Sequence, residues 1–321
     1  MKTELLRVEN ITKHFSLGRG KGVVRAVDDV SFTMHHGETI GVVGESGCGK
    51  STLARVILRL ITATSGKVWL DGVDLAGLTP KSLRIRRQQM QMIFQDAYAS
   101  LDSRQKIGRI IAEPLVVHGI GNKADRRRRV NELLEMVGLE RDAASRYPHE
   151  FSGGQRQRIG IARAIALEPD LVIADEPVSA LDVSIQSQVL NLLVRLREKL
   201  SLSYIFISHD LAVVEHLCTR IIVMYLGQIV ETTDTDRLFQ HPSHPYTKAL
   251  LSAIPRPDVN RRGQARTILK GDIPNPENPP AGCRFHTRCP SVMPICKTTI
   301  PTRINLNGLD APHLVSCHLY P

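Results

Sequence analysis

Gly44-Glu45-Ser46-Gly47-Cys48-Gly49-Lys50-Ser51-Thr52 fits the pattern G-x-x-x-x-G-K-[ST]. Glycines let the backbone wrap closely around a phosphate where a Cβ would clash. The N–H groups of such a loop converge on the anion, and the helix that follows turns its positive N-terminus toward it. Lys50 is a point charge for the outer phosphates. The Ser51 hydroxyl is placed for Mg²⁺, with Thr52 beside it. The flanks agree. Residues 38–43 (Glu-Thr-Ile-Gly-Val-Val) read as a buried strand. Residues 51–60 read as a helix, with Leu53, Val56, Ile57 and Leu60 on one face. Strand, phosphate loop and helix in this order are the start of an α/β domain.

Working outward, Leu6-Arg7-Val8 and residues 30–34 alternate apolar and polar positions, as antiparallel strands do. Residues 16–22 between them form a flexible basic loop, with Phe15 just before it. Residues 67–70 followed by Asp71-Gly72 read as a hairpin. Met92-Ile93-Phe94 is a strand closed by Gln95. From 102 to 147 the period is helical, with Ile107, Ile110, Ile111 and Leu115 on one face and Val130, Leu133, Leu134 and Val137 on another. The run Asp125-Arg126-Arg127-Arg128-Arg129 opens the second of these helices and reads as a solvated face rather than a phosphate patch. Strand and helix then alternate through 171–174, 184–199, 204–207, 210–217 and 221–224. The expectation is an α/β fold: a P-loop NTPase core with a mixed sheet, an antiparallel β subdomain, a helical insertion and a cysteine-containing C-terminal extension. The boundaries expected are 1–95 and 165–240 for the core, 96–164 for the insertion and 241–321 for the extension. The extension is proline-rich without a strong apolar period, so it needs a staple to be ordered.

The chain has 321 residues, 42% hydrophobic and 23% charged, enough for a core. No secretion signal is legible at the start, and no apolar run approaches the roughly 18 residues of a membrane helix. A cytosolic location is therefore expected. The net charge of +10 suits nucleic acid, an anionic membrane surface, or simply a solvated basic exterior. Only 4% of residues are aromatic, which argues against a base-stacking platform.

Asp175-Glu176 ends the apolar strand at 171–174, where α/β sheets bind ligands. Asp175 suits the Mg²⁺ shell, and Glu176 suits a base that orients attacking water. His209 follows the next strand in the same way and is a candidate for the γ-phosphate. Gln95 offers an amide to Mg²⁺ or to the water. Ser152-Gly153-Gly154-Gln155 opens a helix with a good N-cap and exposed N–H groups. That is either a plain helix start or a second anion site. A head-to-tail dimer, each chain closing over its partner's nucleotide, would explain a second site.

Taken in order, these motifs resemble the ATP-binding cassette (ABC) family. Gly44 to Thr52 is similar to its Walker A motif, Gln95 to the Q-loop glutamine, and Asp175-Glu176 to Walker B with the catalytic glutamate. Ser152-Gly153-Gly154-Gln155 resembles the family signature, with Phe151 in place of the commoner leucine. Ser179-Ala180-Leu181-Asp182 resembles the D-loop, His209 the switch histidine, and Phe15 the adenine-stacking aromatic. The resemblance implies an ATPase that binds ATP and Mg²⁺, dimerises around two nucleotides, and couples through the 96–164 insertion to a membrane permease. His244-Pro245-Tyr246-Thr247-Lys248-Ala249-Leu250-Leu251, Gly282-Cys283-Arg284-Phe285 and Arg288-Cys289-Pro290 resemble the oligopeptide/dipeptide importer ATPases, a type shared by nickel and glutathione importers. The partners so implied are two permease subunits, a second ATPase (a copy or a paralogue) and, indirectly, an extracytoplasmic solute-binding protein. The location so implied is the cytoplasmic face of the inner membrane. No nucleic acid is expected, although a soluble cassette ATPase acting on nucleic acid or ribosomes is the competing class that the charge favours.

Four of the six cysteines, Cys283, Cys289, Cys296 and Cys317, are spaced C-x₅-C-x₆-C-x₂₀-C. In a cytosolic protein such a set points to metal rather than disulfides. Tight C-x₂-C pairs usual for zinc ribbons are absent, which tilts the reading from Zn²⁺ toward a structural [4Fe–4S] cluster. The resemblance to the peptide importers points the same way.

Overall fold

The computed structural model describes residues 3–18, 22–96, 98–254, 269, 271–308 and 312–320. Part of the expected basic loop, 19–21, lies outside the described residues, as does 255–268 of the extension. In chain order, two long strands, β1 (Glu4–Ser16) and β2 (Val23–His35), come first. Strand β3 (Thr39–Val43) leads through the phosphate loop into α1 (Lys50–Ile57). Strands β4 (Ser65–Leu70) and β5 (Val73–Asp74), helix α2 (Pro80–Arg86) and strand β6 (Met90–Ile93) follow. Helices α3 (Ile107–Val117), α4 (Lys123–Met136) and α5 (Gly153–Ala164) lie consecutively. Then come β7 (Leu171–Asp175), α6 (Val183–Leu200), β8 (Ser203–Ser208), α7 (Leu211–Leu217), β9 (Arg220–Tyr225) and β10 (Gln228–Asp234). The last are α8 (Thr235–Gln240), α9 (Pro245–Ser252), β11 (Arg303–Asn305) and β12 (Leu314–Ser316).

The chain forms two compact units. One comprises the described parts of 6–33, 40–71 and 208–321 and carries the phosphate loop. Within it β2, β1 and β4 lie side by side, β1 antiparallel to β4 with Leu6 opposite Leu70 and Val8 opposite Val68. A second set runs β11-β12-β10-β9-β3. Strands β3 and β9 are parallel, with Ile40 opposite Arg220. The other pairs are antiparallel. The parallel pair is buried, and after Arg220 strand β9 reads as an apolar run.

The other unit comprises the described parts of 1–5, 34–39 and 72–207. Its strands β6, β7 and β8 are parallel, Val172 lying opposite Gln91 on one side and Tyr204 on the other. All five residues of β7 are buried. Helix α4 starts on a reciprocal cap: Asn122 accepts from the Asp125 N–H while Asp125 accepts from the Asn122 N–H. Two arginines of its run are paired, Arg128 with Asp125 at 2.8 Å and Arg129 with Glu168 at 2.8 Å.

The structure departs from the sequence reading in two places. Helix α1 stops at Ile57, so Leu60 lies outside it and is 48% exposed. Arg59 takes φ 53, its N–H bonds the Val56 carbonyl, and the Leu60 N–H bonds the Arg55 carbonyl. That is a Schellman ending, which turns the chain out of the helix before Leu60. The extension is not without regular structure: β12 joins β10, with Val315 opposite Glu231, and β11 joins β12. Two three-residue strands carry too few alternations to be legible as a period.

Candidate functional site

Helix α1 begins at Lys50 because Gly49 takes φ 104 at its N-cap. A Cβ there would stand 2.0 Å from the Ala26 carbonyl oxygen, so only glycine fits. No side chain caps this terminus, which leaves the cap to the loop and whatever it holds. Lys50 is only 5% exposed. Its Nζ donates to the carbonyls of Gly44 at 2.7 Å and Glu45 at 3.0 Å and lies 3.8 Å from Cys48 Sγ. The loop's own oxygens thus hold the ammonium in its centre. Burial pushes the Cys48 thiol up, against the pull of Lys50.

Glu45 is tied to the extension. Its N–H donates to Tyr246 Oη at 2.9 Å. Its carboxylate accepts from Arg288 Nη1 and Nη2 at 2.7 and 3.0 Å, a bidentate pair. The carboxylate in turn holds the Arg288 guanidinium above its ordinary pKa. Beneath this pair Tyr225, Tyr246 and Phe285 pack ring to ring, with centroids 4.7 to 5.3 Å apart. Arg284 donates to the Leu226 carbonyl and to Asp28. Phe15 stands at the end of β1, 39% exposed, with Lys13 Nζ 4.9 Å from its ring centroid. His209 falls in this same unit.

The other unit presents the acidic residues. Asp175 is the last residue of β7 and 3% exposed. Glu176 follows with φ 45, a left-handed conformation that turns the chain sharply at the strand end. Its N–H bonds the Ile207 carbonyl at 3.0 Å, and its Oε2 accepts from Gln95 Nε2 at 3.0 Å. Two residues distant in sequence and matched to different motifs therefore meet. Ser152 and Gln155 cap α5 reciprocally at 3.0 and 3.3 Å. A Cβ on Gly154 would stand 2.4 Å from Ile185 Cγ2, so the signature helix approaches α6 as closely as glycine permits. Gln186 braces the loop before α6 by donating to the carbonyls of Val178 and Leu181. Asp182 is the N-cap residue of α6 and is exposed.

The four extension cysteines lie in one another's electrostatic field. Burial pushes the Cys283 thiol up to about 11, and the charges of Cys296, Cys317 and Cys289 add to the rise. Cys289 and Cys317 are raised by burial and then by their cysteine neighbours. The backbone brings two of them together, the Cys283 N–H bonding the Cys296 carbonyl at 2.9 Å. Yet among the described residues no three His, Cys, Asp or Glu side chains converge as a ligand set. The metal site expected from the spacing is therefore not drawn together here.

Comparison with known proteins bears on the whole chain. The family model described as ABC transporter matches residues 27–179. The model described as oligopeptide/dipeptide transporter, C-terminal region, matches 230–296. A Brucella ovis protein named as a peptide import ATP-binding protein is 54% identical over 98% of this chain and 98% of its own length. The chain belongs to the ABC transporter family. The oligopeptide transport ATP-binding protein AppF of Bacillus subtilis is 50% identical over 98% of this chain and 97% of its own. Among solved structures, the dimeric ATP-binding cassette MJ0796, in a post-hydrolysis state bound to ADP and Pi, matches with a TM-score of 0.65 and 30% identity. That match covers 72% of this ABC protein and 99% of the solved chain. Among the described residues no helix is long and apolar enough to cross a membrane.

Sequence reasoning missed the tie between loop and extension. Tyr246, Arg284, Phe285 and Arg288 stood in the quoted stretches but carried no role. The one available signal was a carboxylate, Glu45, inside a loop built for anions.

Proposed function

We propose that this chain is the ATP-hydrolysing subunit that energises uptake of di- and oligopeptides through a membrane ABC importer. It is an ABC-type ATPase, turning ATP and water into ADP and phosphate. The observation that carries the peptide reading is the C-terminal match over 230–296, lying beside a phosphate loop whose Lys50 is held in place by the loop's carbonyls. In this reading residues 44–52 cradle the phosphates and Phe15 stacks on adenine. Glu176 orients the attacking water, a role supported by its hydrogen bond from Gln95. His209 senses the γ-phosphate. Ser152, Gly153, Gly154 and Gln155 close over the nucleotide of a second cassette, with Asp182 at the same interface. Mg²⁺, when bound with ATP, would neutralise phosphate charge; Ser51, Gln95 and Asp175 carry the oxygens suited to it. The second cassette is a copy or a paralogue. The insertion at 96–164 meets one of two permease subunits at the cytoplasmic face of the inner membrane, and a solute-binding protein delivers the peptide.

The four extension cysteines would hold a structural [4Fe–4S] cluster, or Zn²⁺ in its place. The donor set suits either, since cysteine sulfurs are ligands of both. Purification from membranes, with mass spectrometry of the companions and assay of iron and zinc, tests the whole reading. Permease subunits, a related ATPase and about four irons per chain are expected. Recovery with ribosomes or nucleic acid and no membrane protein would overturn it.

A further inference from the structure

The phosphate loop of this chain carries a negative charge of its own. Glu45 is the second residue of the loop, and its backbone carbonyl already touches the Lys50 ammonium at 3.0 Å. A carboxylate so placed repels the polyanion that the loop is built to hold, and a partly buried charge is poorly screened. The chain supplies a counter-charge from the far end of the sequence. Arg288 meets both oxygens of Glu45, at 2.7 and 3.0 Å, and its side chain is 7% exposed. We propose that Arg288 is a positioning residue for nucleotide binding, which cancels the charge of Glu45 and holds that carboxylate away from the phosphates.

The geometry around the pair is built for this. Arg288 lies in Cys283–Cys289, a short segment pinned at several points. Phe285 is 1% exposed and packs against Tyr225 and Tyr246. Arg284 holds the Leu226 carbonyl and Asp28. Tyr246 Oη accepts the Glu45 N–H, so backbone and side chain of one loop residue are both fixed by the extension. A surface ion pair between flexible side chains contributes little. This one is bidentate, largely buried and anchored on both sides, so its loss changes both the charge and the direction of Glu45.

The inference rests on the reading of residues 44–52 as a nucleotide loop. A simple anchor for the extension would also use an ion pair, and the two roles part on rescue. If Arg288 acts by compensating charge, removing the charge of Glu45 makes it dispensable. If it acts only as an anchor, Glu45→Gln in addition restores nothing.

The test is a titration of the purified full-length chain with a fluorescent ATP analogue and Mg²⁺. Thermal unfolding of the same samples accompanies it. Arg288→Met is expected to weaken binding about tenfold, equivalent to about 1.4 kcal/mol. Arg288→Lys, which keeps charge without the bidentate fork, is expected to lose about threefold. The double variant Arg288→Met/Glu45→Gln is expected to return to within about twofold of the parent. A double variant as weak as Arg288→Met, or an Arg288→Met protein that binds like the parent, overturns the proposal. If Arg288→Met does not fold, Glu45→Gln alone still decides. It is expected to tighten binding, and a clear loss counts against the proposal. A parent chain that binds no nucleotide removes the loop reading itself, and the proposal with it.

Discussion

Glu231→Gln removes one charge from the place where two parts of the extension meet strand β10. Glu231 on β10 is fully buried. Its Oε1 accepts from the Ser243 N–H at 2.7 Å and from His313 Nε2 at 2.7 Å; its Oε2 accepts from the His244 N–H at 2.9 Å. Burial by itself would raise this carboxyl, but the donors outweigh it and hold the group below its ordinary value. Glutamine retains one acceptor oxygen. Turned toward the two-donor side, that oxygen keeps Ser243 and His313, and the amide NH₂ then faces the His244 N–H. One charge-assisted bond is lost, a donor is left against a donor, and two remaining bonds lose their charge. At about 1.5–3 kcal/mol for a charged bond, with part of the strain relaxing, the cost is about 3 kcal/mol. Leucine abandons all three donors and costs about 5 kcal/mol. Urea unfolding at neutral pH measures both, and limited proteolysis reports whether the extension is released first. The pH dependence has a fixed sign. A carboxyl with a lowered folded value contributes fully above the unfolded value of about 4.3, and its contribution is lost as pH falls through the folded value. A Glu231→Gln protein within about 0.5 kcal/mol of the parent, with the extension equally protected, would refute the reasoning.

Four further outcomes are expected. Lys50→Ala loses nucleotide affinity by tenfold or more, read by equilibrium binding, because it removes the loop's central cation. Glu176→Gln retains ATP binding but abolishes turnover; single-turnover hydrolysis at the parent rate would sink its role as the base. Gly49→Ala destabilises by about 3 kcal/mol and loses nucleotide binding, since φ 104 and a carbonyl 2.0 Å away leave no room for a Cβ; its melting temperature checks this. His244 is held to about 4, chiefly by burial, and its Nδ1 caps α9 by accepting the Tyr246 N–H. The unfolded imidazole binds a proton near 6.5 and the folded one does not, so stability is full above about 6.5 and falls by up to about 3 kcal/mol as pH drops toward 4. His244→Asn keeps a capping oxygen without that titration, and its urea midpoint should depend less on pH than the parent's.

Where sequence and structure agree, the signal was local. The loop, β3 and α1 are contiguous, and β7, α6, β8 and α7 each announce themselves within a dozen residues by period or apolar run. The cap at Ser152 was legible because its partner Gln155 is three residues away. The end of α1 was missed because Leu60 continues the apolar period while a single residue, Arg59, takes the left-handed conformation that breaks it. Propensity does not mark an arginine for that role.

The extension shows the opposite case. Its order does not come from period, nor is it drawn from a ligand set in this structure. It comes from pairs of distant residues: Val315 against Glu231, Phe285 against Tyr225, Arg284 against Asp28, and Arg288 against Glu45. Each partner alone has an ordinary reading, a strand residue, a core aromatic or a solvated arginine. The Arg288–Glu45 pair spans 243 positions. Nothing within a window of local sequence distinguishes Arg288 from the other basic residues of a chain with a net charge of +10. What singles it out is chemical need at the other end, because an anion-binding loop that carries a carboxylate requires a cation to oppose it. The phosphate loop was complete as a motif without its neighbours, but as a charge distribution it is incomplete until the last forty residues are in place.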